Sequence, residues 1–85
     1  MIDHRTIALI IPAYNEAESI TRVIRAVPDE VDRILVVDNG SSDGTGDRAR
    51  AAGAEVVRED CLGYGTACLA GIDALKANPP DIVAF

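Results

Sequence analysis

Apolar residues come in short unbroken runs rather than in strict alternation. Ile7-Ala8-Leu9-Ile10-Ile11 stops at Pro12, and Ile34-Leu35-Val36-Val37 stops at Asp38-Asn39-Gly40. Ala54-Glu55-Val56-Val57 is shorter, and Asp81-Ile82-Val83-Ala84-Phe85 is the last. Continuous runs of this kind predict parallel strands covered on both faces. Helical spacing lies between them. Ile20, Val23, Ile24 and Val27 fall on one helical face, with Asn15 or Ser19 as cap and Pro28 as stop. A second helix over about Thr45–Ala52 ends at Gly53. A third over about Thr66–Lys76 carries Cys68, Ile72 and Leu75 on one side and ends before Asn78-Pro79-Pro80.

Strand and helix alternate from end to end. This predicts an α/β fold: a Rossmann-like, doubly wound parallel sheet of strand order 3-2-1-4, with right-handed crossovers and helices on both faces. Ligands of such sheets bind beyond the carboxyl ends of the strands, where the strand order reverses. The segments Pro12–Glu16 and Asp38–Thr45 should therefore flank a site.

The 85 residues allow one small domain, 1–85, with a modest core. The 14 acidic against 8 basic residues, net charge −6, argue against a nucleic-acid or anionic-membrane partner, which needs a basic face. A phosphorylated small ligand stays open, because a cation or backbone N–H groups can supply the positive field. No apolar run is long enough to span a membrane. The stretch Thr6–Ala13, flanked by Asp3, Arg5 and Glu16, reads as a buried strand rather than a signal peptide. A cytoplasmic location is the expectation. Cys61, Cys68 and the single histidine, His4, match no zinc pattern; the two thiols read as small packed hydrophobes, with a redox or disulfide role as the alternative.

Three segments carry candidate chemistry. In Pro12-Ala13-Tyr14-Asn15-Glu16, Ala13 leaves room for approach, Tyr14 offers a flat face to a ring, and Glu16 can accept from a base or ribose hydroxyl. Ordinary strand-to-helix turn chemistry explains the same residues equally well. Asp38 stands at the end of a buried strand, where it can accept an N–H from a nucleobase or help hold a metal. Asp43 and Thr45 read as helix caps. Gly63 and Gly65 open the third helix, either to bring backbone N–H groups to an anion or merely to satisfy positive φ. Gly44-Thr45-Gly46-Asp47-Arg48-Ala49 fits the dinucleotide pattern G-x-G-x-x-G/A, with Glu59 and Asp60 after the next strand. Its first glycine, however, lies well past the strand, and another strand precedes the unit. No P-loop occurs.

Together, Ile-Ile-Pro-Ala-Tyr-Asn-Glu, Val-Val-Asp-Asn-Gly-Ser-Ser-Asp-Gly-Thr, Gly-Tyr-Gly-Thr-Ala and Asp-Ile-Val-Ala-Phe resemble the N-terminal, nucleotide-binding half of family 2 glycosyltransferases. The dolichyl- or polyprenyl-phosphate sugar synthase branch looks closest. The resemblance implies the N-terminal part of a GT-A fold, transfer of a sugar from a UDP- or GDP-sugar to an acceptor, usually with inversion, and Mg²⁺ or Mn²⁺. It implies that Pro12, Ala13, Tyr14 and Glu16 line a base and ribose pocket, that Asp38 bonds the base, and that Gly63 and Gly65 lie close to the nucleotide-sugar. Two departures stand out. Asn39 replaces the family's second acid, removing one negative charge, and Tyr64 stands where many relatives carry Lys or Leu.

The family's metal-binding Asp-x-Asp motif is expected just after the fourth strand, and the sequence ends at Phe85 before it. No metal ligand or catalytic base is therefore assigned, and these residues alone are expected to be inactive in transfer. The acceptor is left open, with a lipid phosphate one choice; the full-length enzyme would then sit at the cytoplasmic face of a membrane. Two other readings remain. One is a non-catalytic nucleotide-binding or interaction module that self-associates through the fourth strand's apolar edge. The other is an NAD-type dinucleotide binder.

Overall fold

The computed structural model describes residues 5–85, so His4 and Asp3 lie outside the described residues. Seven elements follow in the order β1 (Ile7–Ala13), α1 (Ile20–Arg25), β2 (Arg33–Asp38), α2 (Thr45–Ala51), β3 (Glu55–Arg58), α3 (Tyr64–Ala74) and β4 (Ile82–Ala84). The strands form one parallel sheet in the order β3-β2-β1-β4, as the apolar runs predict.

Side chains alternate across the sheet and build two thin cores. Ala8, Ile10, Leu35 and Val37 face α3, which contributes Ala67 and the following Leu75. Ala13 and Val36 face the opposite way, onto Ile20 and Ile24 of α1 and Ala49 of α2. Helices thus cover both faces, and a strand with neighbours on both sides has no polar position to spare.

Four details depart from the sequence reading. Pro12 does not end β1; it pairs with Val37, and the strand continues to Ala13 opposite Asp38. The backbone of Ile7 and Ala13 faces β2, where their carbonyls accept from Asp32 and Asn39, so the alternate residue Pro12 faces the β4 side. There β4 has already ended at Ala84, opposite Leu9, and no ladder bond needs the missing N–H. The Ala13 side chain is buried in the core at 4% exposure, so it opens no approach to a ligand.

On α1, Ile20 and Ile24 are buried but Val23 is exposed, and neither Asn15 nor Ser19 makes a side-chain cap. On α3, which starts at Tyr64 rather than Thr66, the buried residues are Ala67 and Gly71, while Ile72 points outward. A small-residue face lets α3 lie close on the sheet. A Cβ at Gly71 would sit 2.8 Å from Ile10 Cγ2 and 3.2 Å from Val37 Cγ2.

Candidate functional site

The carboxyl ends of β1 and β2 stand side by side, and the loops that follow them are laced together. Ser41 Oγ accepts from Asn15 N at 2.8 Å, Thr45 Oγ1 from Glu16 N at 2.9 Å, and Asp43 Oδ2 from Ala17 N at 3.1 Å. In return Ser42 N donates to Asn15 Oδ1 at 2.9 Å. Asn15 takes a positive φ of 51°, which its short polar side chain tolerates. Ser41, Asp43 and Thr45 therefore hold the neighbouring loop as well as their own. Asp43 Oδ1 also accepts from Thr45 N and from the Thr45 hydroxyl, but the N-cap of α2 is Gly44, with no side-chain cap, so neither Asp43 nor Thr45 is the cap residue expected. These contacts, the Thr45 hydroxyl first, hold the Asp43 carboxyl below the ordinary carboxylate range.

Asp38 is buried to 7% exposure at the end of β2. Its Oδ1 accepts from Ser41 N at 2.9 Å, so the acid serves the turn as well as facing the sheet's carboxyl edge. Its Oδ2 lies 3.9 Å from Arg58 Nη1, across the register pair Asp38–Arg58. A Cβ at Gly46 would come within 3.1 Å of the same oxygen. That close approach gives Gly46 of the dinucleotide-like pattern a different reason to be glycine. The pattern's first glycine, Gly44, stands beyond the Asp38–Asp43 loop with a φ of 85°.

An open cavity of about 360 Å³ lies here, bordered by Asp38, Ser42, Gly46, Arg50 and Arg58. Of the residues that the resemblance assigns to the nucleotide-sugar, Asp38 alone lines it; Gly44, Gly46 and Asp47 of the dinucleotide-like pattern line it too. Arg50 and Arg58 were missed; the signal for Arg58 was a cation at a strand's carboxyl end in an acidic chain. Tyr14 and Glu16 are exposed on the adjoining loop, and Glu16 Oε2 accepts from Ser19 Oγ at 3.0 Å. Pro12 is half-buried at the end of β1. The structure thus gathers Pro12, Tyr14, Glu16 and Asp38 along the sheet's carboxyl edge, without enclosing them in one pocket.

Gly63 and Gly65 reach the same edge on the α3 side. Gly63 precedes α3 with a φ of 140°, which favours glycine, and Gly65 lies in the first turn with open space where a Cβ would stand. Tyr64 between them is exposed, and contact with the Cys68 thiol one turn on raises its phenol above the ordinary value. Asn39, read from the sequence as a lost charge, is buried to 6% exposure. Its Nδ2 donates to Glu59 O at 2.6 Å and Cys61 O at 2.9 Å, and its Oδ1 accepts from Gly63 N at 3.0 Å. Among the described residues, no group of three or more His, Cys, Asp or Glu side chains is placed to hold a metal ion, and no helix is long and apolar enough to cross a membrane. Cys61 and Cys68 are free thiols.

Known proteins resemble the chain in sequence and fold. The chain is 40% identical to glucosyl-3-phosphoglycerate synthase of Mycolicibacterium smegmatis, over 95% of this chain and 30% of that protein. It is 44% identical to an uncharacterized glycosyltransferase of Mycobacterium tuberculosis, over 93% of this chain and 35% of that one. The crystal structure of M. tuberculosis glucosyl-3-phosphoglycerate synthase with Mn²⁺, UDP and glucosyl-3-phosphoglycerate superposes with a TM-score of 0.74 at 37% identity, covering 93% of this chain and 32% of that one. Mannosyl-3-phosphoglycerate synthase from Rubrobacter xylanophilus gives 0.76 at 30% identity, covering 93% and 29%. The chain thus spans about a third of the length of these relatives. The family model described as Glycosyl transferase family 2 matches residues 8–85, which takes in every strand but the first residue of β1; the chain belongs to glycosyltransferase family 2.

Proposed function

We propose that residues 8–85 form the donor-nucleotide part of an enzyme that moves a hexosyl group from a UDP- or GDP-sugar to an acceptor oxygen. The observation that carries this is Asp38: a nearly buried carboxylate at the carboxyl end of a parallel strand, one oxygen committed to a turn and the other beside an open cavity. Such a group can accept an N–H from a pyrimidine or purine edge, and the same position is where α/β sheets bind their ligands. Tyr14 gives a ring face, Glu16 an acceptor for ribose hydroxyls, and Pro12 and Ala13 the backbone beneath them. Gly65 leaves α3's first turn open, and Gly63, the residue before the helix, stands with it toward the diphosphate end. Arg58 adds a cation beside the cavity.

In the transfer, the acceptor oxygen forms a bond to the anomeric carbon, a hydroxyl giving up its proton to a base or to water, while the bond from that carbon to the diphosphate breaks. The electron pair leaves with the diphosphate. The solved relative binds UDP with Mn²⁺, and a cation of that kind offsets charge on the departing diphosphate. The described residues offer no matching set of ligands, so no step of the reaction is assigned to a metal here.

UDP is the favoured nucleotide, since the relatives' complexes contain UDP or UDP-glucose. For the acceptor, those relatives support a small phosphorylated compound of the phosphoglycerate kind; a polyprenyl phosphate is the alternative. A second reading has one observation behind it. Among the described residues β4 is an edge strand with Ile82 and Val83 exposed and Phe85 beyond it, an apolar edge that favours pairing with another copy of these residues. Concentration-dependent mass in sedimentation would support that pairing, and a constant monomer mass would dismiss it.

NMR mapping of UDP on the ¹⁵N-labelled chain tests the main reading. Shifts should cluster at Tyr14–Glu16, Asp38–Ser42 and Gly63–Gly65. Gly46, Arg50 and Arg58, which border the cavity, should move with them; shifts on that border with none at Tyr14–Glu16 or Gly63–Gly65 would point to a dinucleotide-type site instead.

A further inference from the structure

We infer that Asn39 is a positioning residue for the donor site: its carboxamide sets the 59–63 segment and, through Gly63, the start of α3. The inference rests on the donor-site reading above. Asn39 follows directly on Asp38, so the residue that faces the cavity and the residue that fixes the 59–63 segment share one strand end.

Every polar group of the side chain is engaged. Both carboxamide hydrogens are directed to carbonyls, those of Glu59 at 2.6 Å and Cys61 at 2.9 Å. The oxygen receives the amide of Gly63 at 3.0 Å. The strand end is anchored independently, with Asn39 N donating to Ala13 O and Glu59 N to Asp38 O. Gly63 then starts α3, its carbonyl accepting from Ala67 N. One buried side chain thus spans three points of a segment with no strand or helix of its own between Arg58 and Tyr64.

The donor requirement is strict. A carboxylate of the same shape would set its oxygen against two carbonyl oxygens, with no proton to place between them. The absent charge at this position is therefore not a weakened ligand. The carboxamide supplies the two donors that this path of the 59–63 segment uses.

This gives an ordering that plain packing would reverse. If Asn39 only filled space, Asn39→Asp, which keeps the volume, would be milder than Asn39→Ala. If it clamps the carbonyls, Asn39→Asp is the harsher change. We expect UDP binding, measured by titration calorimetry, to weaken at least tenfold in Asn39→Asp and only a few-fold in Asn39→Ala. Amide exchange at Leu62–Gly65 should rise in the same order while the amides of β1 and β2 stay protected.

In the unmodified chain, the Asn39 carboxamide protons should exchange slowly, a readout that needs no variant to fold. Rapidly exchanging carboxamide protons would overturn the clamp. Unaltered UDP affinity in Asn39→Asp with a loosened 59–63 segment would overturn the positioning role. Absence of UDP binding by the unmodified chain would remove the donor-site reading and the positioning role with it, while slow carboxamide exchange would still uphold the clamp.

Discussion

Gly71 and Asp43 show how single residues are constrained. Gly71→Ala places a methyl 2.8 and 3.0 Å from two atoms of Ile10, a side chain with no exposed surface. Helix propensity favours alanine by about 1 kcal/mol. Overpacking a full core costs about 1–3 kcal/mol, and with Ile10 and Val37 both enclosed the upper half applies. The net expectation is a loss of about 1 kcal/mol, lowering Tm by roughly 4–8 °C for a domain of this size. Thermal unfolding of the variant checks it; a raised Tm would mean α3 can lift off the sheet.

Asp43 gives a pH dependence whose sign is fixed by its lowered folded value. The native state then binds the proton less readily than the unfolded chain. The stabilisation is complete above the ordinary carboxylate range and is lost as pH falls through the lowered folded value. In Asp43→Asn, urea unfolding from neutral to acid pH should therefore show a shallower acid decline than the parent. At the acid end the two proteins should converge.

At the scale of elements, the loop after β1 is shaped by the loop after β2. Thr45 has no exposed surface and accepts from Glu16 N. Thr45→Val keeps the shape but leaves that N–H without its partner, an expected cost of about 1–3 kcal/mol. The loop bearing Tyr14 and Glu16 should loosen with it. Amide exchange at Asn15–Ala17 should quicken, and UDP should bind several-fold more weakly although Thr45 itself touches no ligand in this account. Unchanged exchange there would mean the loop holds itself.

This lacing was not legible in the sequence, where Asp43 and Thr45 read as local caps. Side-chain bonds between segments 26 to 29 residues apart leave no periodic mark. The α3 face was misjudged for a related reason. Cys68 and Ile72 outrank Ala67 and Gly71 in hydrophobicity, but close contact with Ile10 and Val37 selects for smallness. Asn39 was missed because a charge count sees an amide as an absence.

For the molecule as a whole, strand order and the covering of both faces were legible, since unbroken runs such as Ile7–Ile11 admit little but a buried parallel strand. The same topology points to the carboxyl edge as the place for a ligand. What the pattern could not give was the path of the 59–63 segment or the cavity bordered by Arg50 and Arg58, because both depend on where loops cross.

The central claim is that this edge binds the nucleotide of a sugar donor. Thermal unfolding with UDP, GDP and NAD, each with and without Mn²⁺, tests it most directly. A ligand at 100 times its Kd stabilises the fold by about 2.7 kcal/mol, a shift well above scatter. The expected result is a rise with UDP or GDP that Asp38→Ala abolishes and Mn²⁺ barely changes. A rise with NAD alone, or none with any of the three, would contradict it.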